Sequence, residues 1–173
     1  MYFALITGLL YGRFSRPRSK IKFAKNAIIT PYQDGNAIMF KMVNQRNSTL
    51  LDTSVSCILT MAKDEHDPNK GFFNLPLELD HVDFFPLTWT VVHKIDDDSP
   101  FKDLNAEDLR KRRAELIVSV RAFDETFAQN IIEKVSFAED QWLDGVKFAR
   151  SFEALEDGSI ELRIHELDNL EKL

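Results

Sequence analysis

The chain has a single cysteine, Cys57, so no internal disulfide framework can form, which fits a reducing compartment. Glycine is scarce, with 6 in 173 residues and none grouped, which excludes a phosphate-cradling glycine loop. No G-x-S-x-G, H-E-x-x-H or paired-cysteine motif occurs, so the common signatures of hydrolases and zinc proteins are missing. The uncharged run Met1–Tyr11 is too short to span a bilayer, which needs roughly 20 residues. It also lacks the basic start and cleavage site of a signal peptide. Acidic residues are absent from positions 1–33, which instead carry Arg13, Arg16, Arg18, Lys20, Lys22 and Lys25. Because the whole chain sums to −6, removing those six positive charges leaves −12 on the remainder. A basic arm on an acidic body points to an anionic partner, with a solvated linker as the plainer alternative.

What is present reads as β structure. Ile21–Ile29 and Asn36–Val43 are expected strands around a Pro31–Gly35 turn, with Asp34-Gly35 as the hairpin signal. Leu51–Met61 alternates, with Val55, Cys57, Leu59 and Met61 on one side, so Cys57 reads as a small core residue and not a nucleophile. Phe72–Leu79 and Phe84–His93 follow, the latter placing Phe85, Leu87, Trp89, Val91 and His93 on one face. Ala106–Arg113 is the one convincing helix after the arm: Asn105 can cap it, Glu107 and Asp108 suit its first turn, and Lys111 to Arg113 suit its end. Glu115–Ala122, Phe127–Ala138, Trp142–Arg150 and Gly158–Ile164 are further strands, and His165–Leu173 is a polar tail, helical or frayed. Eight or nine short strands with regular turns and little helix argue for an all-β, immunoglobulin-like sandwich.

Chemistry is hard to find. The four histidines, His66, His81, His93 and His165, are scattered. His81 stands between Asp80 and Asp83, yet no third ligand shows suitable spacing. Asp96 to Asp98 lack the glycine and terminal glutamate of a calcium loop and read as a turn with Ser99 and Pro100. No catalytic residue, metal site, cofactor or nucleic-acid partner is expected. The apolar Met1–Tyr11 passing into RFSRPRSK reads as a helix leaving a membrane on its positive side; an ordinary first strand or helix is the alternative.

Five stretches carry a resemblance. RFSRPRSKIKFAKNAII, MFKMVNQRNSTLLD, LTWTVVHKIDDDSPFKDLNAEDL, ELIVSVRAFDETFAQ and DGVKF, in that order, resemble the cytoplasmic domain of inward-rectifier potassium channels, particularly the prokaryotic ones. In the last, Asp144 stands where the family has Trp. The resemblance implies the end of an inner transmembrane helix with a basic linker over residues 1–20, an immunoglobulin-like domain over 21–164 and a tail over 165–173. It implies a homotetramer around a vestibule for potassium ions, attached to a transmembrane pore domain missing from this chain, which has no T-x-G-Y-G filter. By position it assigns Arg13, Arg16, Arg18, Lys20 and Arg46 to anionic phospholipid head groups, and Asp52, Arg121, Ala122, Phe123, Asp124 and Glu125 to the lining of the ion path. Arg121 replaces a frequent glutamate, and its charge opposes cation accumulation, with Asp124 and Glu125 available to offset it. A different class of reading, a soluble immunoglobulin-like module recruiting a partner through its basic arm, remains open.

Each arm charge near an anionic leaflet contributes about 1 kcal/mol of attraction. Replacing Arg13, Arg16 and Arg18 together by Gln is therefore expected to weaken flotation with anionic vesicles and to flatten its dependence on salt.

Overall fold

The computed structural model describes residues 21–46, 48–85, 87–154 and 160–173. Two sheets face each other across one core, as the strand pattern predicts. The first contains β1 (Ile21–Phe23), β2 (Ala27–Tyr32), β3 (Gly35–Asn44), β7 (Thr88–Ile95) and β10 (Trp142–Asp144). Here β3 is central, flanked by β1 and β2 on one side and β7 on the other, while β10 adds to β2 in parallel. The second contains β4 (Leu50–Ala62), β5 (Lys70–Leu75), β6 (His81–Phe84), β8 (Glu115–Asp124) and β9 (Gln129–Ala138). Successive strand side chains point to opposite faces. Ile38, Phe40 and Met42 from β3 thus meet Val55, Cys57, Leu59 and Met61 from β4 and Leu116, Val118 and Val120 from β8 in a single buried cluster. Cys57 lies in that cluster, and burial pushes its thiol up to about 12, so it has no nucleophilic character at neutral pH.

Several expected boundaries move, each for a local reason. The stretch Ile21–Ile29 is two strands, because other groups claim the Lys25 backbone. Its N–H donates to Asp168 at 2.8 Å, and its carbonyl accepts from the Gln141 side chain at 3.1 Å. The β2–β3 register pairs Tyr32 with Gly35, so the hairpin turn is Gln33-Asp34 and not Asp34-Gly35. Gln33 takes the positive φ that such a turn requires. Phe84–His93 divides between the two sheets, with Pro86, which has no N–H, standing between β6 and β7 in the sequence. Trp89, Val91 and His93 are buried as expected, but Leu87 precedes the strand and is exposed. Trp142–Arg150 divides at Gly145, whose φ of 66° redirects the chain from β10 to β11 (Val146–Phe148).

The tail is folded. β14 (Leu170–Lys172) pairs antiparallel with β11, and Leu167 is buried against Ala24 and Val43. β12 (Phe152–Ala154) pairs antiparallel with β13 (Ile160–Leu162). The Asp157-Gly158 turn, and residues 1–20 with their expected helix end, lie outside the described residues.

The stretch from His93 to Leu104 ties the sheets to α1 (Ala106–Lys111). His93 Nδ1 lies 2.7 Å from the Pro76 carbonyl and Nε2 lies 2.8 Å from Ser99 Oγ. A carbonyl can only accept, so Nδ1 carries the proton and donates; the Ser99 hydroxyl then donates to Nε2. Ser99 Oγ in turn accepts the Phe101 N–H at 3.3 Å. The Phe101 ring, fully buried, stands 5.7 Å from His93 and 5.8 Å from Trp142. Trp142 Nε1 donates to the Ala114 carbonyl just beyond the helix. Asn105 and Asp108 cap α1 reciprocally, and Asp144 Oδ2 accepts the Ala106 N–H at 3.0 Å. Phe101→Ala should therefore cost about 3–5 kcal/mol in urea unfolding, because it removes a ring from between two others.

Candidate functional site

One end of the β4–β8 pair gathers the described candidates. Leu50 on β4 is opposite Asp124 on β8, so the loop before β4 and the loop after β8 lie side by side. Ile21, the first described residue after the basic segment, is opposite Asn44, where the loop before β4 begins. The position of Arg46 in that loop is set by side chains. Asn44 Nδ2 donates to the Ser48 carbonyl at 2.7 Å and Asn44 Oδ1 accepts the Arg46 N–H at 3.0 Å. The Arg46 guanidinium lies 5.0 Å from the centre of the Phe127 ring, a cation–π contact bridging the two loops.

Asp52 is placed by an irregularity. Leu51 pairs with Phe123 and Ser54 with Arg121, so two residues of β4 oppose the single Ala122 of β8. This bulge turns Asp52 outward, with a φ of 48° and a side chain 82% exposed. Aspartate is among the residues that tolerate this left-handed region. Asp52 and Arg121 line a shallow depression of about 350 Å³ with Phe123, Asn130 and Ile132. At its side, His81 Nε2 is 3.6 Å from Asp52 and 3.4 Å from Asp83, while Nδ1 is hydrogen-bonded to Ser54 Oγ at 3.1 Å. These contacts are solvent-exposed and add little stability. Among the described residues no group of three His, Cys, Asp or Glu side chains is arranged to hold a metal ion.

The run Arg121–Glu125 does not act as a unit. Arg121 and Glu125 are exposed and Phe123 is half-buried, whereas Ala122 and Asp124 point into the sandwich. Strand alternation dictates this: of the five residues assigned to the ion path, Arg121, Phe123 and Glu125 have side chains directed away from the core. Asp124, 1% exposed, accepts the Thr126 and Phe127 N–H groups and lies 3.5 Å from the Ser48 hydroxyl. Its carboxylate organises the loop. Arg13, Arg16, Arg18 and Lys20 fall outside the described residues.

Residues 21–173 match the family described as the inward rectifier potassium channel C-terminal domain. The chain belongs to that family. It is 28% identical over 157 residues to the inward rectifier potassium channel Kirbac3.1 of Paramagnetospirillum magnetotacticum, covering 90% of this chain and 53% of that protein. It is 27% identical over 158 residues to the bovine (Bos taurus) G protein-activated inward rectifier potassium channel 1, covering 84% of this chain and 31% of that one. It is 26% identical over 152 residues to the human (Homo sapiens) ATP-sensitive inward rectifier potassium channel 15, covering 83% and 40%. The chain thus spans about half the length of the first relative and less of the other two. Their names are those of channels and not of enzymes. Among the described residues no helix is long and apolar enough to cross a membrane.

Two buried charges lie outside what the sequence pattern marks, one at this end of the sandwich and one on the outer face of the first sheet. The first is Asp124. The second is Lys41 on β3, 5% exposed, which a charge inside the apolar string Ile38–Val43 could have signalled. The bulge has a cost of its own: Thr53, beside Asp52, is fully buried, and among the described residues its hydroxyl has no hydrogen-bond partner. An unpaired buried hydroxyl costs about 1–3 kcal/mol. Thr53→Val keeps the shape and removes that hydroxyl, so it should raise the unfolding free energy by about 1 kcal/mol, read as a higher urea midpoint at constant slope.

Proposed function

We propose that the chain is the cytoplasmic gating and vestibule domain of a homotetrameric inward-rectifier-type potassium channel, at the inner face of a cell membrane. Its basic segment, Arg13, Arg16, Arg18 and Lys20, with Arg46 beside it, meets anionic phospholipid head groups. Asp52, with Arg121, Phe123 and Glu125, faces the path of potassium ions leading to a transmembrane pore domain. The observation that carries this reading is the convergence at one end of β4–β8: the root of the basic segment at Ile21, the Arg46 loop, and the bulge that exposes Asp52. A lipid contact at the segment is thereby only a few residues from the charges proposed to line the path, and the Arg46–Phe127 contact joins the two loops. The mixed signs of Asp52 and Arg121 support a vestibule with modest cation enrichment.

A fourfold assembly makes a geometric prediction. Cys57 is buried, so a nitroxide attached to Asp52→Cys labels one site per chain. Sedimentation equilibrium should show a tetramer, and pulsed electron paramagnetic resonance should give two distances related as the side and diagonal of a square. A chain that stays monomeric at millimolar concentration, with no intermolecular distance, would overturn the reading.

A further inference from the structure

β6 brings a histidine to the depression that holds Asp52. In the register of the second sheet, Ser54 on β4 is opposite His81 on one side and opposite Arg121 of β8 on the other, so the three form one row across the strands. The bulge sets the Asp52 carboxylate beside this row, 3.6 Å from His81 Nε2. Asp83 shares the outer face of β6 with His81 by alternation, and its carboxylate is 3.4 Å from the same nitrogen. The charged groups around the imidazole are therefore Asp52 from β4, Asp83 from its own strand and Arg121 from across β4. Asp80, exposed, precedes it in the chain, and the Asp80 carbonyl accepts the Val55 N–H.

The imidazole has partners in both of its charge states. Carboxylates only accept, so the neutral ring carries its proton on Nε2, and Nδ1 accepts from the Ser54 hydroxyl 3.1 Å away. When Nδ1 gains a proton it becomes a donor, and the Ser54 hydroxyl rotates to accept from it. No backbone movement is needed. The side chain is 43% exposed, so protons reach it from water. Histidine is the side chain whose charge ordinarily changes between about pH 5 and pH 8. While the ring is neutral, Asp52 and Asp83 outnumber Arg121 and the wall carries a negative excess. A proton on His81 offsets that excess.

We propose that His81 belongs to the wall of the ion path and that its proton sets how strongly Asp52 holds cations there. This rests on the vestibule reading of Asp52, and fourfold assembly would repeat the change once per chain around the path. With the ring neutral, Asp52 and Asp83 are free to attract a cation. With the ring charged, the imidazolium already sits against both carboxylates, and it repels a further cation. Multivalent cations feel the change most, because Coulomb attraction scales with charge. The path therefore loses its preference for multivalent over monovalent cations as pH falls, with no change in the fold of the domain.

The test titrates the whole chain by calorimetry with cobalt(III) hexammine, a trivalent cation, in low salt at about pH 5 and about pH 8, the ends of the histidine range. Wild type should bind on the order of tenfold more tightly at the higher pH, and the difference should shrink as salt is added. His81→Gln should bind tightly at both pH values, and His81→Lys, with a fixed charge, weakly at both. Asp52→Asn marks the component of binding that belongs to the wall, and Asn tolerates the left-handed backbone at that position. Both substituted positions are exposed, and His66, His93 and His165 remain in every variant, so the differences report His81. Asp52-dependent binding that is equal at the two pH values, or that keeps its pH dependence in His81→Gln, overturns the proposal and leaves the vestibule reading standing. Binding that does not depend on Asp52 at either pH removes the vestibule reading and the proposal together.

Discussion

The turn after β7 depends on one imidazole bonded on both sides. His93 donates to the Pro76 carbonyl on the approach to β6 and accepts from Ser99 in the turn. Ser99 accepts the Phe101 N–H, which fixes where the Phe101 ring enters the core. Phe101 rests on Trp142, whose indole holds Ala114 and whose carbonyl accepts from Arg110 of α1. A buried polar group without a partner is costly, so a chain of groups that are each satisfied permits few alternative arrangements. The helix, the first sheet and the start of β8 are all positioned through it. Asp144 then closes the arrangement by accepting the first helical N–H.

The end of the sandwich that carries Asp52 and Arg46 is built in the opposite manner, from departures from regularity. The bulge in β4 exposes Asp52 in a left-handed conformation and leaves the Thr53 hydroxyl buried without a partner. Local strain and an unpaired polar group are unfavourable terms that the large core around them offsets. The adjoining loop is stabilised by the Asp124 carboxylate, which gathers two N–H groups, and by Arg46 stacked on Phe127. Arg46 is thus a contact between loops as well as a positive charge. Lys41 shows the same principle at the other face of the first sheet: a charge kept inside the protein holds the segment that covers it, by donating to the Ala149 carbonyl and to Ser151 Oγ.

Much of the architecture was legible in the residues. The alternation in Leu51–Met61 named the core face of β4 correctly, and Asn105, with acidic residues after it, marked the helix start. Boundaries failed where a distant group took over a backbone bond. Nothing local in Ile21–Ile29 reveals that Asp168 and Gln141 capture Lys25, since both lie more than a hundred residues away. The tail reads as helical or frayed because its pairing partner, β11, is hidden in a longer apparent strand, and Leu167 gains its burial from residues remote in sequence such as Ala24 and Val43.

The candidate site divides along the same line. Residue types and order alone determined the all-β sandwich, the inert Cys57, the basic segment and the family, because these follow from local periodicity, charge and motif wording. Only the tertiary structure decided which side chains of Arg121–Glu125 face outward, since a period of two assigns faces only once the register with β4 is known. It also decided that Asp124 organises a loop, that Asp52 stands on a bulge, and that Lys41 is buried with no ion-pair partner among the described residues. A bulge or a cavity is a relation between strands remote in sequence, formed by packing, and no single stretch of the chain contains it.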